Sequence, residues 1–128
     1  MSAFTKQFLA PAATTGNNTS AAFYTGNARE TGVVALQFVV EVAGATPTIT
    51  FKYQGSLDGV NWTDLSYIPA NTNVAATATQ TVTTTGLTLN FLDQTNANRH
   101  FPQIRLVTSA NTNVTYRAEM YTIQTNVG

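Results

Sequence analysis

Histidine is the usual general base at neutral pH, and this chain has one, His100, set between Arg99 and Phe101-Pro102 in a stretch that reads as a loop between strands. A base needs a nucleophile and an orienting partner. There is no cysteine, no second histidine and no Gly-x-Ser-x-Gly elbow to supply them. The closest set of oxygen ligands is Asp58, Asn61 and Asp64, which could hold calcium only if backbone carbonyls and water completed the roughly 6–8 ligands that ion takes. Asp58 has a simpler use as the first residue of an Asp-Gly turn. Neither glycine-rich phosphate cradle is present. We therefore expect a protein that is not an enzyme, with no catalytic, cofactor-binding or metal-ligating residues. What remains is aromatic: Trp62, Tyr67 and Tyr121 could form a surface on which a sugar ring stacks, although rings spaced along strands more often serve a core or an interface.

Elements of β structure must position these groups. Period-2 alternation dominates, and no window shows the i, i+3, i+4, i+7 stripe of a helix. The run "VVALQFVVEV" puts Val34, Leu36, Phe38, Val40 and Val42 on one face, and after a turn over Gly44–Pro47 the run "TITFKYQG" puts Ile49, Phe51 and Tyr53 inward. Leu87, Leu89 and Phe91 share a face in "LTLNFLD". A last hairpin joins Ile104 and Leu106, through "SANTNV", to Val114, Tyr116, Ala118 and Met120, with Arg117 and Glu119 as solvated charges on the outer face. Short strands with turn signals every 8 to 12 residues or so predict an all-β fold, an antiparallel two-sheet β-sandwich of jelly-roll type. The chain divides into an extended N-terminal arm or long loop over residues 1–30, carrying one strand, and a sandwich over 31–128, within one domain.

Composition narrows the partners. Charged residues make up 9% of the 128, against a usual quarter, and six basic residues cancel six acidic ones. That balance lacks the electrostatic footprint of a nucleic-acid or membrane-surface binder, so neither is expected as a partner. No apolar run approaches the roughly 20 residues that span a bilayer, and "MSAFTKQFLA" lacks the greasy segment of an export signal. A nearly neutral surface repels its own copies little. The threonine row over residues 77–85 reads as an edge strand whose register nothing inside the chain pins, an edge for another copy to complete. Assembly contacts are accordingly expected from Phe4, Phe8, Phe23 and Tyr24 in the arm and from Thr79, Thr81 and Thr83 on that edge.

The stretch "FKYQGSLDGVNWTDL", residues 51–65, resembles a segment of small virion proteins of tailed bacteriophages, in which a strand ending in Y-x-G-S meets a D-G turn and N-W-T-x-L opens the antiparallel partner. The similar S-x-D-G-x-x-W also occurs in discoidin-like and other carbohydrate-binding sandwiches. The first resemblance implies a virion structural protein assembled in the host cytoplasm, with capsid decoration, or cementing, as its role. It also implies a symmetric homo-oligomer, a trimer by preference, bound to capsid or other virion proteins. The alternative it leaves open is a tail-fibre or receptor/carbohydrate-binding module. In the first case Trp62 covers the end of the hairpin; in the second it is a platform.

Overall fold

Runs of Val, Ile, Phe and Thr make strands because branched and aromatic side chains pack well on a pleated surface, and the longest such run becomes the spine of the molecule. The computed structural model describes residues 3–17, 19–20, 22–24, 32–71, 79–92 and 101–124. They form β1 (Ala3–Thr15), β2 (Phe23–Tyr24), β3 (Gly32–Ser56), β4 (Thr63–Asp64), β5 (Tyr67–Pro69), β6 (Gln80–Val82), β7 (Gly86–Leu92) and β8 (Gln103–Gln124). The pairing is antiparallel throughout, in the order β1-β8-β3-β7-β5, with β2 added to β8 and β4 and β6 added to β3.

Among the described residues the fold is all-β and antiparallel, as the alternation predicts, but the strands form one open sheet and not the two separate sheets of a jelly roll. The two hairpins expected at Gly44–Pro47 and Ser109–Val114 are not turns. β3 and β8 run past each other along their whole lengths, from Gly32↔Gln124 to Ser56↔Gln103, and the expected turn residues form a bulged corner with register shifts between Ala43 and Thr48 and between Thr48 and Thr50. Thr46, Ala110 and Asn113 take the left-handed backbone there, with φ of 45°, 53° and 57°. Side chains stitch the corner together. Asn113 Nδ2 donates to the Ala45 carbonyl at 2.6 Å, Asn111 Nδ2 donates to Gly16 O at 2.9 Å, and the Asn111 N–H donates to Asn17 Oδ1 at 3.0 Å.

Past the corner the sheet doubles over, inner face on inner face. Phe38 and Phe51 lie on the same strand, and a straight β3 would hold them roughly 40 Å apart; their rings stack at 4.1 Å and 8°. Tyr116 stacks on Phe38 at 5.1 Å, and its hydroxyl hydrogen-bonds Thr108, from the other half of β8, at 3.0 Å. The core is built from the expected rows Val34/Leu36/Phe38/Val40, Ile49/Phe51/Tyr53, Ile104/Leu106 and Val114/Tyr116/Ala118/Met120, joined by Leu9, Ala10, Leu65, Tyr67 and Leu92. Val42 leaves its row. A bulge between Val40 and Val42 reverses the phase and turns Val42 outward, 59% exposed.

On β7 the face shared by Leu87, Leu89 and Phe91 is the outward one. Register sets Thr88 beside Phe38 and Asn90 beside Leu36, so Leu87, Leu89 and Phe91 point away from the core. Asn90 is fully buried because Gln80 meets it with two amide hydrogen bonds, 3.1 and 2.9 Å. That pairing lets a polar residue take the inner position. In the stretch read as an arm carrying one strand, Ala3–Thr15 is a strand paired along β8, from Ala3↔Gln124 to Thr15↔Thr115, with register shifts between Phe8 and Ala10 and between Ala10 and Thr14.

Buried phenols give the fold a pH signature. Burial raises the ionisation of Tyr53 well beyond the usual phenol range, and it raises Tyr67 and Tyr116 in the same direction. In the unfolded chain these groups ionise near pH 10. Above that pH the unfolded state binds fewer protons than the folded one, so stability falls as pH rises, by about 1.4 kcal/mol per pH unit for a tyrosine held neutral. Thermal melts between neutrality and high pH should show a plateau and then a steep decline beginning near pH 10.

Candidate functional site

Ser56, Asp58 and Gly59 lock the β3–β4 connection. Asp58 Oδ1 accepts from the backbone N–H of Val60 and of Asn61, both at 2.8 Å, and from the Ser56 hydroxyl at 3.1 Å; Asp58 Oδ2 accepts from Asn61 Nδ2 at 2.8 Å. Ser56 Oγ in turn accepts from the Gly59 N–H at 2.8 Å, and Gly59 has a φ of +78°. These donors hold the Asp58 carboxyl well below the usual carboxylate range, the backbone N–H of Asn61 contributing most. Gly55, one residue before the turn, has no room for a side chain. A Cβ there would sit 2.8 Å from Phe101 Cβ.

Trp62 leaves this turn toward the outer face, half-buried, and is not in the core. The Arg105 guanidinium lies 4.1 Å from its ring centroid. Arg105 Nε donates to Gln54 Oε1 at 2.9 Å, Gln54 Nε2 donates to Asp64 Oδ1 at 2.9 Å, and Lys52 pairs with Asp64 at 3.2 Å. One polar chain thus runs across β8, β3 and β4 and fixes the ring. The Gln54 amide, first, and Lys52 lower the Asp64 ionisation. Both carboxylates weighed as calcium ligands are engaged in these networks.

A second surface lies on the outer face of the other half of the sheet. Across β1, β8, β3 and β7 it carries Lys6 and Phe8, then Arg117, Glu119 and Tyr121, then Gln37 and Val39, then Leu87, Leu89 and Phe91. Phe8 is 50% exposed and Leu87 59%. Lys6 Nζ stands 4.6 Å from the Phe8 ring and 5.8 Å from that of Tyr121. Glu119, expected as a solvated charge, is fully buried between Phe8 and Gln37. Its Oε1 takes a short contact from Arg117 and a 3.0 Å hydrogen bond from Gln37, and Arg117 also reaches Glu41 at 3.9 Å.

The residues singled out from sequence separate as follows. Phe8 is on this exposed face. Phe4, Phe23 and Tyr24 are placed by backbone pairing alone, to Ile123, Ile104 and Gln103, and their side chains lie outside the described residues. Thr79, Thr81 and Thr83 are exposed, and Thr81 Oγ1 bonds Thr50 Oγ1 at 3.0 Å. β6, the strand that holds Thr81, pairs with β3 on one side. The three rings of the expected stacking surface are not brought together. Tyr67 is buried against Tyr53, edge to face at 5.9 Å; Tyr121 stands on the rung of Ala35, at the far end of the β3–β8 ladder from Arg105 and Trp62. His100 lies outside the described residues. Sequence reasoning missed Arg105, although its outward phase between Ile104 and Leu106 was readable, and the outward Leu87, Leu89 and Phe91.

No family model and no curated protein matches the chain. Among solved structures it is similar to the SPBc2 prophage-derived protein YomS, at 11% identity and a TM-score of 0.67, over 97% of this chain and 96% of that one. It is similar also to the PBSX exported protein XepA, at 12% identity and a TM-score of 0.67, over 96% of this chain, which spans 38% of XepA. What the chain shares with YomS and with part of XepA is the doubled-over antiparallel sheet.

Proposed function

We propose that the chain is a non-enzymatic structural protein of a phage particle, a capsid decoration protein that assembles with copies of itself, three by preference, and binds the head. The observation that carries this reading is the outward row Leu87, Leu89 and Phe91 on β7 with the exposed Phe8 on β1, three strands away, apolar groups at both margins of one face on a protein with few charges to keep copies apart. The prophage origin of YomS, whose fold spans nearly the whole chain, agrees with the setting. Such a protein works mechanically. Contacts that bury roughly 800 Å² on each partner join neighbouring subunits and spread load between them, and the threonine edge at β6 offers backbone groups for further pairing.

Sedimentation at micromolar concentration tests it. The native protein should run as a defined oligomer, and the double variant Phe8→Lys/Leu87→Lys as a monomer with an unchanged circular dichroism spectrum. A native protein that sediments as a monomer and does not bind purified heads would remove the proposal.

A further inference from the structure

Beside Trp62 the turn opens into a recess of about 350 Å³ lined by Leu57, Asp58, Asn61, Trp62, Thr63 and Phe101. It lies on the half of the sheet that the assembly face does not use. We propose that this recess binds a hexopyranose ring, whose apolar C–H face lies on Trp62 and whose hydroxyls are met by Asp58, Asn61 and Thr63.

Three features of the recess point to that chemistry. The ring is rigid before any ligand arrives, because Arg105 covers it at 4.1 Å and is itself held through Gln54, Asp64 and Lys52. A platform fixed in advance loses little side-chain entropy on binding. The polar wall is fixed as well: Asp58 is braced by Val60, Asn61 and Ser56, and the Asn61 amide is oriented by its 2.8 Å bond to Asp58. Three donors fill Asp58 Oδ1, while Oδ2 holds only the Asn61 amide and keeps a lone pair for a hydroxyl donor. The volume lies within the range of small-ligand sites and combines an apolar body with a few convergent polar groups.

The same features exclude other ligands. Phosphate and other anions meet a carboxylate and no cationic side chain among the lining residues. A quaternary ammonium, which would otherwise suit an aromatic ring beside a carboxylate, would bring a second positive charge to a ring already engaged by the Arg105 guanidinium, a repulsion that a neutral sugar does not meet. A neutral polyol with a flat C–H face suits what is left. Leu57 and Val60, 65% and 76% exposed, flank the turn and would meet the next unit of a longer glycan.

Because Trp62 is the chain's one tryptophan, its fluorescence and its single indole N–H resonance report on this site alone. The probes are the methyl glycosides of glucose, galactose, mannose and N-acetylglucosamine at millimolar concentrations, with tetramethylammonium chloride and inorganic phosphate beside them. The expected result is saturable change with at least one glycoside, amide shifts confined to Leu57–Thr63 and Phe101, and about tenfold weaker binding in Asp58→Asn. Trp62→Ala, followed by amide shifts, should abolish it at an unchanged melting temperature. Should Trp62→Ala not fold, the amide shifts of the native protein decide. No saturable response to any glycoside, saturation by tetramethylammonium or phosphate instead, or equal binding by Asp58→Asn would overturn the proposal.

Discussion

Phe38→Ala is expected to lower the unfolding free energy by about 3–5 kcal/mol, the range for truncating a fully buried phenylalanine. Phe38 is where the two halves of the bent sheet meet: it is completely buried, stacked on Phe51 at 4.1 Å and on Tyr116 at 5.1 Å. Removing the ring empties the centre of the core and deletes both stacking contacts. The corner limits how far the halves can close on the gap, since Asn111 and Asn113 tie it to Gly16 and Ala45. A domain of this size has roughly 5–15 kcal/mol in total, so the variant should melt some 10–20 °C lower and unfold at markedly lower urea. Leu87→Ala, on the outer face, should change stability by less than about 1 kcal/mol in the dissociated protein. Equal losses in the two variants would mean that the halves do not pack against each other through Phe38.

The second large effect is expected from the buried carboxylate. Glu119→Ala should lose about 2–3 kcal/mol, because it strips Arg117 and Gln37 of a charge-assisted partner. Arg117 is one-third exposed and can turn to water, which keeps the cost at the lower end of that for a broken buried pair. The double variant Arg117→Met/Glu119→Met should recover most of the loss, since apolar side chains of similar volume need no partner. Denaturant melts of the three proteins check this. A double variant as unstable as Glu119→Ala would show that packing around Phe8 and Gln37, and not the ionic contact, sets the cost.

Much of this core was readable in the chain. Alternation assigned Val34 through Val40, Ile49 through Tyr53, Ile104 and Leu106, and Val114 through Met120 to the inner face because period 2 leaves no other choice once one face is buried. The corner was not readable. Gly44–Pro47 and Ala110–Asn113 have the residues that turns demand, but a bulge demands the same left-handed backbone, and local composition does not distinguish a reversal from a bend. The phase of β7 was not readable either, for another reason. Its inner Asn90 is tolerated only because Gln80 completes it from β6, a long-range pairing that no window contains. The candidate sites divide the same way: the Asp58-Gly59 turn follows from its residues, whereas Arg105 over Trp62 depends on the register of β8 against β3.

β8 hydrogen-bonds to β1, β2 and β3, and each of those partners precedes it in the chain. A ribosome therefore releases the apolar rows of β3 long before the strand that covers them. No early segment can close the core alone, and the contacts that do so span most of the chain, a topology that folds in milliseconds to seconds and not microseconds. During that interval one copy's unpaired strands are open to those of the next, the condition under which partly folded β proteins aggregate.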